Sequence, residues 1–357
     1  MVKLKKKKKE AIKMYKIAVD AMGGDHAPET VVAGVEKARE QLPNVEFILY
    51  GDLAKVKPLI QDLRQIELVQ ADDALGMADE PVKSVRTRKQ SSLVMAATAV
   101  KTGEADAFFS AGNTGAVLAA AIFLIGRIKG ISRPALMTLM PAMGGLHDAF
   151  VMMDMGANAE NRASHLYEYG ILGSFYAHDI LQYENPRVGL LNNGTEPDKG
   201  DSVHKEAHVL LQNGSDAKYL NFIGNVESSE LLQGAADVVV ADGFSGNAAL
   251  KATEGTAKTL MKMLKNMIKQ GNLRTKLGGL LLLPALKNLG EKFNPEQYGG
   301  AVVLGVKAPV VKAHGSAGPD AIAAALGQIE KMLTINLTGN VQSFVAEHQN
   351  DLTSQQN

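Results

Sequence analysis

Glycine-rich polar segments follow short apolar runs at six places in the sequence, and their side chains are of types that bind anions and transfer protons. The first is DAMGGDHAP at residues 20–28, directly after the apolar residues IAV. Two aspartates and a histidine flank a glycine pair, and a proline follows. Glycine lets backbone approach a ligand closely, and the free N–H groups at the start of a following helix attract phosphate. This segment therefore predicts an anion site rather than a plain turn.

Five further segments have the same order of apolar run, polar turn and helical pattern: AFFSAGNTG, AFVMMDMGAN, VGLLNNGTEPDKGD, VVVADGFSGN and PVVKAHGSAGP. The carboxyl ends of parallel strands lie at one edge of a sheet, so the six segments are expected to meet at one cleft. The side chains gathered there would be Asp20, Asp25, His26, Ser110, Asn113, Thr114, Asp154, Asn158, Asn192, Asn193, Thr195, Glu196, Asp242, Ser245, Asn247, Lys312 and His314. Helix capping alone is the alternative explanation for each segment, because Asp and Asn are also good N-caps.

The elements that would position these residues are buried parallel strands joined by helices. Short continuous apolar runs that alternate with helical patterns are typical of this arrangement. Further apolar runs at 45–50, 66–69 and 222–223 add candidate strands. Pro28 is expected in the first turn of a helix that buries Val31, Val35 and Ala38.

We therefore predict a single α/β domain, a three-layer α/β/α sandwich with a mainly parallel sheet. No long Pro- or Ser-rich linker divides the body. The predicted organisation is a disordered basic extension at 1–15, a catalytic domain at 16–340 with a helical basic and apolar sub-region at about 255–292, and a polar tail at 341–357.

Composition excludes several classes of chemistry. The chain of 357 residues has no cysteine, which rules out disulfides, thiolate metal sites and a cysteine nucleophile. The formal net charge of zero conceals a lysine-rich start, and the rest of the chain is acidic, so nucleic acid is not an expected partner. No apolar stretch reaches the ~18 residues that a transmembrane helix needs. The protein is expected to be soluble.

Familiar catalytic motifs are absent or incomplete. Neither GxxxxGK[ST] nor GxGxxG occurs. GFSGN resembles a nucleophile elbow but has Asn247 where that motif needs glycine. His204 and His208 have the spacing of a zinc motif, but Lys205 replaces its glutamate. Mg²⁺ held by the strand-end aspartates Asp20, Asp154 and Asp242 remains an alternative.

Two basic segments remain. Residues 80–92 carry Lys83, Arg86, Arg88 and Lys89 before a helix expected near Ser91. These side chains either bind an anion or form solvated surface. Residues 257–289 contain seven Lys or Arg and no acidic residue. Helical spacing aligns Lys258, Lys262, Lys265 and Lys269 in one stripe, with Leu260, Met261, Leu264, Met267 and Ile268 on the opposite side. This segment is either a core helix or a surface for anionic lipid or an acidic partner.

Nine stretches in order resemble the bacterial acyl-ACP:phosphate acyltransferases of phospholipid synthesis, the PlsX family. They are AVDAMGGDHAP, DEPVKSVRTRKQSS, SAGNTGA, GRIKGISRPAL, DMGAN, NNGTE, DGFSGN, YGGA and KAPVVKAHGS, between about residues 16 and 318. The resemblance implies transfer of a fatty acyl group from acyl carrier protein to inorganic phosphate. It also implies a fold like that of isocitrate and isopropylmalate dehydrogenases, no metal or other cofactor, a homodimer, and a cytoplasmic protein peripherally bound to the inner face of the cell membrane.

The reaction that the resemblance implies makes phosphate itself the nucleophile, and the polar segments offer candidates for its requirements, although the resemblance fixes no single role. Phosphate and oxyanion binding would fall to Gly23, Gly24, Ser110, Asn113, Thr114, Gly115, Asp154, Asn158, Thr195, Gly243, Ser245 and Asn247, with Lys312 as the cation. His26 or His314 would protonate the leaving thiolate, or Asp20, Asp25 or Asp242 would orient that group.

The basic segments would serve the partners that the resemblance implies. The lysine stripe with Arg274 and Lys276 would dock the acidic carrier protein, and Lys83, Arg86 and Lys89 would contact the carrier or another anion. Leu277, Leu280, Leu281, Leu282 and Leu283 would touch the membrane. A Mg²⁺- and NAD-dependent hydroxy-acid dehydrogenase and a non-catalytic anion- or lipid-binding protein are the alternatives.

Overall fold

One sheet of 11 strands runs through the part of the chain that the computed structural model describes, residues 13–292 and 299–349. The strand order is β3-β2-β1-β4-β11-β10-β5-β6-β9-β7-β8. The strands are β1 (Tyr15–Asp20), β2 (Val45–Gly51), β3 (Ile66–Gln70), β4 (Ala107–Ser110), β5 (Ala135–Pro141), β6 (Ala149–Met153), β7 (Arg187–Asn192), β8 (Asn221–Glu227), β9 (Val238–Val240), β10 (Ala301–Leu304) and β11 (Val310–Lys312).

The sheet consists of two parallel blocks that run in opposite directions. Strands β3, β2, β1, β4 and β11 are mutually parallel, and so are β6, β9, β7 and β8. Between the blocks, β10 is antiparallel to β11 and to β5, and β5 is antiparallel to β6. The prediction that all strand ends meet at one edge is therefore wrong, because the two blocks end at opposite edges. The central strands β5 and β10, which cause the reversal, were not predicted.

Helices cover both faces of this sheet. They are α1 (Glu29–Gln41), α2 (Leu53–Val56), α3 (Pro81–Thr87), α4 (Ser92–Thr102), α5 (Thr114–Ala120), α6 (Ala163–Phe175), α7 (Ser202–Asp216), α8 (Gly243–Gln270), α9 (Leu273–Lys292), α10 (Pro319–Ile335) and α11 (Leu337–Glu347).

Successive strand residues face opposite helical layers. Phe109 packs in the core with α1, α6, α7, α10 and α11, whereas its neighbour Phe108 packs in the core with α3, α4 and α5. This period of two is what a sheet buried on both faces requires. The predicted three-layer α/β/α fold with a mainly parallel sheet is confirmed.

Several helix starts differ from the prediction. Val31, Val35 and Ala38 are buried on α1 as expected, but Pro28 is the N-cap rather than a residue of the first turn. GFSGN forms the first turn of α8, because the carboxylate of Asp242 caps that helix. The helix after DMGAN begins at Ala163.

The C-terminal boundary predicted at residue 340 falls inside helix α11. Val341 and Val345 are buried in the core that includes α6 and α10, so this part of the predicted polar tail belongs to the fold. Residues 1–12, 293–298 and 350–357 lie outside the described residues. The first of these ranges contains most of the basic extension predicted at 1–15.

Helices α8 and α9 form a hairpin over the predicted basic and apolar sub-region. Ile268 of α8 lies against Gly279 of α9, but Leu260, Met263 and Met267 are each more than half exposed. Of the two predicted alternatives for this segment, the core helix is therefore wrong, because these apolar side chains of α8 are exposed. Among the described residues, no helix is long and apolar enough to cross a membrane.

Candidate active site

A cleft of about 1360 Å³ lies over the centre of the sheet, between the two blocks. Its floor includes Leu136 and Thr138 of β5 and Lys312 of β11. Asp25, Thr114 and His314 line it from the first block, and Gly156 and Asn247 line it from the second. The two sets of segments thus approach each other across a face of the sheet rather than at one edge.

Helix α8, which follows strand β9 of the second block, supplies much of the cleft lining. Its 28 residues span roughly 40 Å at the rise of an α-helix, and residues from Asn247 to Lys269 line the cleft. Lys251, Lys258, Lys262, Lys265 and Lys269 of this helix line the cleft together with apolar residues. Lys251 was not predicted as a site residue, although its place in the same helical stripe, seven residues before Lys258, could have indicated it.

Lys312 is a buried cation on the floor of the cleft. Its side chain is only 9% exposed, and the ammonium has no hydrogen-bond or ion-pair partner among the residues that the structure describes. Burial lowers the pKa of Lys312, the positive charge of Lys251 lowers it further, and the negative charge of Asp25 opposes them. A cation without a counter-charge is costly to bury, so the position favours an anionic ligand.

The segment that precedes α1 is tied to the segment that follows β11. The backbone N–H of Asp25 donates to the carbonyl oxygen of Gly315 at 2.7 Å. His314 lies in the same segment, and its Nδ1 is 2.8 Å from the hydroxyl oxygen of Ser316. His26 is exposed and does not line the cleft, so of the two predicted proton donors only His314 has a side chain at the cavity.

Asp20 lies behind the cleft lining rather than in it. The hydroxyls of Ser92 and Ser110 donate to its two carboxylate oxygens at 2.5 and 2.7 Å, and the side chain is 2% exposed. Burial raises the pKa of Asp20, and these hydrogen bonds lower it. A Cβ on Gly23 would come within 2.4 Å of the Asp20 carboxylate, so glycine is required there for close approach. Asp20 therefore fastens the first glycine-rich loop to α4 and β4.

In the SAGNTG segment, one predicted residue lines the cleft and others serve the fold. Thr114 lines the cleft, whereas Asn113 caps α5 by accepting the backbone N–H of Ala116 at 3.0 Å. The side-chain amide of Asn113 also donates to the carbonyl oxygen of Met77 at 2.7 Å. Gly115 packs against Pro81, and neither it nor Gly24 lines the cavity.

Asp154 organises the segment after β6. Its buried carboxylate accepts backbone N–H groups from Leu136, Gly156, Ala157 and Asn158 at 2.8 to 3.2 Å. The side-chain amide of Asn158 donates to Asp154 and to the carbonyl oxygen of Pro134. Both polar side chains therefore form hydrogen bonds within the protein, and these bonds hold the loop against the start of β5.

The start of α8 packs directly on this loop. A Cβ on Gly243 would lie 2.3 Å from the carbonyl oxygen of Asn158, and one on Gly246 would lie 2.1 Å from that of Asp154. Asp242 accepts the backbone N–H groups of Phe244 and Ser245 at 2.9 Å. The glycines and Asp242 thus position α8, while Asn247 is the residue of GFSGN that reaches the cavity.

The remaining predicted anion contacts lie away from the cavity lining. They are Thr195, Ser245, Lys83, Arg86, Lys89, Arg274 and Lys276. Arg88 forms ion pairs with Asp73 and Asp79, so its charge is already paired within the protein. Of the predicted membrane leucines, Leu283 lines the cleft, whereas Leu277, Leu280, Leu281 and Leu282 are exposed on α9.

The Mg²⁺ and zinc alternatives find no support in the geometry. Within residues 13–292 and 299–349 there is no group of three or more His, Asp or Glu side chains arranged to hold a metal. Asp20, Asp154 and Asp242 each accept hydrogen bonds from hydroxyl or backbone N–H groups of the protein. His204 lies 2.8 Å from Asp201, and His208 lies 3.0 Å from the side-chain oxygen of Asn225.

Curated proteins from lactic acid bacteria are similar to almost the whole chain. A phosphate acyltransferase of Leuconostoc mesenteroides is 58% identical over 342 residues, which is 96% of this chain and 99% of the relative. That of Leuconostoc citreum is 56% identical over 337 residues, 94% of this chain and 96% of the relative.

Solved structures support the fold. A phosphotransacetylase from Streptococcus pyogenes superimposes with a TM-score of 0.58 and 18% identity, over 90% of this chain and 94% of its own. A branched-chain phosphotransacylase from Enterococcus faecalis gives a TM-score of 0.57 at 16% identity, over 90% of this chain and 99% of its own. The model of the family described as "Fatty acid synthesis protein" matches residues 15–339. The chain belongs to this family, the one that its sequence motifs indicated.

Proposed function

We propose that this protein is a phosphate acyltransferase that moves a fatty acyl group from acyl carrier protein to inorganic phosphate. The observation that carries this proposal is the buried ammonium of Lys312, which has no partner among the described residues and lies on the floor of a cleft that lysines and apolar side chains of α8 line from the other side. The similarity to phosphate acyltransferases over nearly the full length of the chain supports this activity. The products are acyl phosphate and the free thiol of the carrier protein.

The reaction needs no nucleophile from the protein. A phosphate oxygen attacks the thioester carbonyl carbon, the C–S bond breaks, and the departing thiolate takes up a proton. Lys312, with Lys251 on the facing helix, supplies positive charge where a phosphate dianion would bind. Holding phosphate beside the thioester replaces a collision in solution with a preorganised encounter.

Proton delivery to the thiolate is assigned to His314. His314 lines the cleft, as Lys312 does, whereas His26 is exposed and does not line the cavity. Asp25 lines the same part of the cleft and is held there by its bond to Gly315. We assign Asp25 to positioning, because its negative charge also favours the charged form of Lys312.

The acyl chain would occupy the space between α8 and α9. Met261, Leu264 and Ile268 of α8 and Leu283 and Leu286 of α9 line this part of the cleft. Ligand pockets are commonly about 300–1000 Å³. The cavity of about 1360 Å³ exceeds that range and leaves room for phosphate and a long chain together.

The lysine stripe of α8 is the proposed docking site for the carrier protein. Lys258, Lys262, Lys265 and Lys269 form a basic border to the acyl space, with no acidic residue between 257 and 289. Positive charge there would attract an acidic carrier and direct its thioester toward the cleft. Arg274 and Lys276 extend this charge onto α9.

The exposed apolar side chains of the hairpin support contact with a membrane and with a second copy of the chain. Leu280, Leu281 and Leu282 of α9 are each more than half exposed, beside the basic residues of the hairpin. This combination suits the interface of an anionic membrane. Leu260, Met263 and Met267 of α8 form the surface that we assign to homodimer formation.

The test is the formation of acyl phosphate from palmitoyl carrier protein and inorganic phosphate with EDTA present. We expect turnover that depends on both substrates and survives chelation. Oxidation of a hydroxy acid that requires a divalent metal and NAD would establish the dehydrogenase instead. No turnover by a folded protein with either substrate set would favour a non-catalytic binding protein.

A further inference from the structure

Two rows of side chains on helix α8 line the cleft along its length. The apolar row consists of Leu250, Ala257, Met261, Leu264 and Ile268. These residues recur at intervals of three, four and seven, so they share one face of the helix. A row of lysines from Lys251 to Lys269 borders them. An apolar strip with a cationic border suits an elongated apolar ligand that has an anionic end.

The cavity ends near the turn of the α8–α9 hairpin. Ile268 and Lys269 line it, whereas the described residues from 270 to 282 do not. Here the two helices approach closely, because a Cβ on Gly279 of α9 would lie 2.3 Å from Cγ2 of Ile268. The side chain of Ile268 is half-buried. Ile268 packed on Gly279 therefore forms the end wall of the cavity.

The apolar row begins beside the proposed phosphate site. The positive charge of Lys251 lowers the pKa of Lys312, so the two ammonium groups lie near each other. In the reaction proposed above, on which this inference rests, the thioester carbonyl carbon lies beside phosphate at Lys312. The acyl chain then extends along α8 towards Ile268, because the apolar row leads in that direction.

The distance between the two ends corresponds to a particular chain length. Ile268 lies roughly 25 Å along the helix axis from Lys251 at the rise of an α-helix. An extended chain advances roughly 1.2 Å per single bond, so about 20 bonds cover this distance. With about three of those bonds assigned to the phosphate end, the space accommodates an acyl group of about 16–18 carbons.

We propose that Ile268, packed on Gly279, is the end stop of the acyl site and limits the accepted chain to about 16–18 carbons. A chain shorter than this limit buries fewer methylene groups. A longer chain must displace the Ile268 side chain or leave methylene groups in water. Affinity therefore rises with chain length as far as the limit and does not rise beyond it.

Calorimetric titration with free fatty acids, from decanoate to eicosanoate, tests the end stop without requiring turnover. Their carboxylate stands in for the anionic end of the acyl phosphate product. Each further buried methylene group contributes roughly a fourfold gain in affinity. For the native chain we expect this gain from decanoate to palmitate, and no gain from stearate to eicosanoate.

Two substitutions should move the limit in opposite directions. Ile268→Ala removes the end stop, so the affinity for eicosanoate relative to palmitate should rise about tenfold. Leu264→Trp places a bulky ring one helical turn nearer to Lys251, so the limit should fall by about four carbons and the affinity for laurate relative to palmitate should rise about tenfold.

Leu273 provides matched controls on the same hairpin. This leucine of α9 is 74% exposed and does not line the cavity. Leu273→Ala and Leu273→Trp repeat the two chemical changes outside the cavity, and both should leave the dependence of affinity on chain length unchanged.

The outcomes separate the end stop from the proposed reaction. A limit that moves with Ile268→Ala and Leu264→Trp supports the end stop even if no acyl phosphate forms, a result that would refute the reaction alone. A limit unaffected by both changes, with acyl phosphate still formed, overturns the end stop and leaves the reaction intact. Native affinity that keeps rising through eicosanoate, as adsorption to an open apolar surface would give, also overturns the end stop, and so does the absence of fatty acid binding.

Discussion

Replacing Lys312 with methionine should reduce transfer and increase stability at the same time. Methionine preserves most of the volume of the side chain but removes the ammonium that has no partner in the described structure. The two effects have opposite signs because the charge serves a ligand rather than the fold. This opposition distinguishes a binding cation from a structural one.

The loss of transfer follows from one charge-assisted contact to phosphate. Such a contact contributes about 1.5–3 kcal/mol, which corresponds to about a 10- to 150-fold decrease in kcat/KM for phosphate. The measurement is the initial rate of acyl phosphate formation over a range of phosphate concentrations. Lys205→Met, at an exposed lysine on α7, is the matched control and should leave the rate unchanged.

The gain in stability follows from removing a charge that is buried without compensation. Replacing a buried ion pair by apolar groups of similar volume is often neutral or stabilising by about 1–4 kcal/mol, and a buried charge without a partner is still more costly. Urea unfolding without phosphate should therefore show an equal or higher free energy of unfolding for Lys312→Met. Saturating phosphate should stabilise the native chain more than the variant.

The dependence on pH has a defined sign. The pKa of Lys312 lies below 10.5 in the folded protein, so the unfolded chain binds more protons between the two pKa values. The free energy of unfolding of the native chain should rise with pH in that window relative to Lys312→Met. A variant that is less stable at neutral pH, or that transfers acyl groups at the native rate, would refute the reasoning.

Three further predictions concern the loops and the hairpin. Asp154→Ala should lower the free energy of unfolding by about 2–5 kcal/mol in urea, because four backbone N–H groups lose their acceptor; a change below 1 kcal/mol would contradict this. Gly246→Ala should destabilise the protein, because its Cβ would lie 2.1 Å from the carbonyl oxygen of Asp154. Gly255→Ala, in the open part of the same helix, should instead stabilise the protein by up to about 1 kcal/mol, and equal shifts in the melting temperature of the two variants would oppose this account. Changing Leu280, Leu281, Leu282 and Leu283 to serine should weaken sedimentation with anionic vesicles, while Leu146→Ser, at another exposed leucine, should not; unchanged sedimentation would remove the membrane proposal.

The sequence was sufficient to predict most strands and the fold class. Buried parallel strands form continuous apolar runs, such as VVV at β9, and these were recognised. The central strands β5 and β10 were missed, because PALMTLMP and AVVL are not followed by a polar turn and a helical pattern of the repeated type. Without them, the reversal of strand direction between the two blocks could not be inferred.

The site was predicted in part for a related reason. Residue types indicated an anion-binding cleft, and Asp25, Thr114, Asn247, Lys312 and His314 do line it. Asp20, Asp154 and Asn158 have side chains of similar types, but these side chains form hydrogen bonds within the protein that hold the loops in place. Spacing alone does not show whether a carboxylate faces a ligand or a backbone N–H, because N-caps and ligand contacts use the same residues.

A single-turnover experiment tests the central claim that phosphate in the cleft attacks the thioester directly. Excess protein is mixed with palmitoyl carrier protein labelled in the acyl group, with and without inorganic phosphate, and quenched at short times. We predict that labelled acyl phosphate forms only when phosphate is present, and that no label becomes attached to the protein. Label bound covalently to the protein in the absence of phosphate would contradict the account.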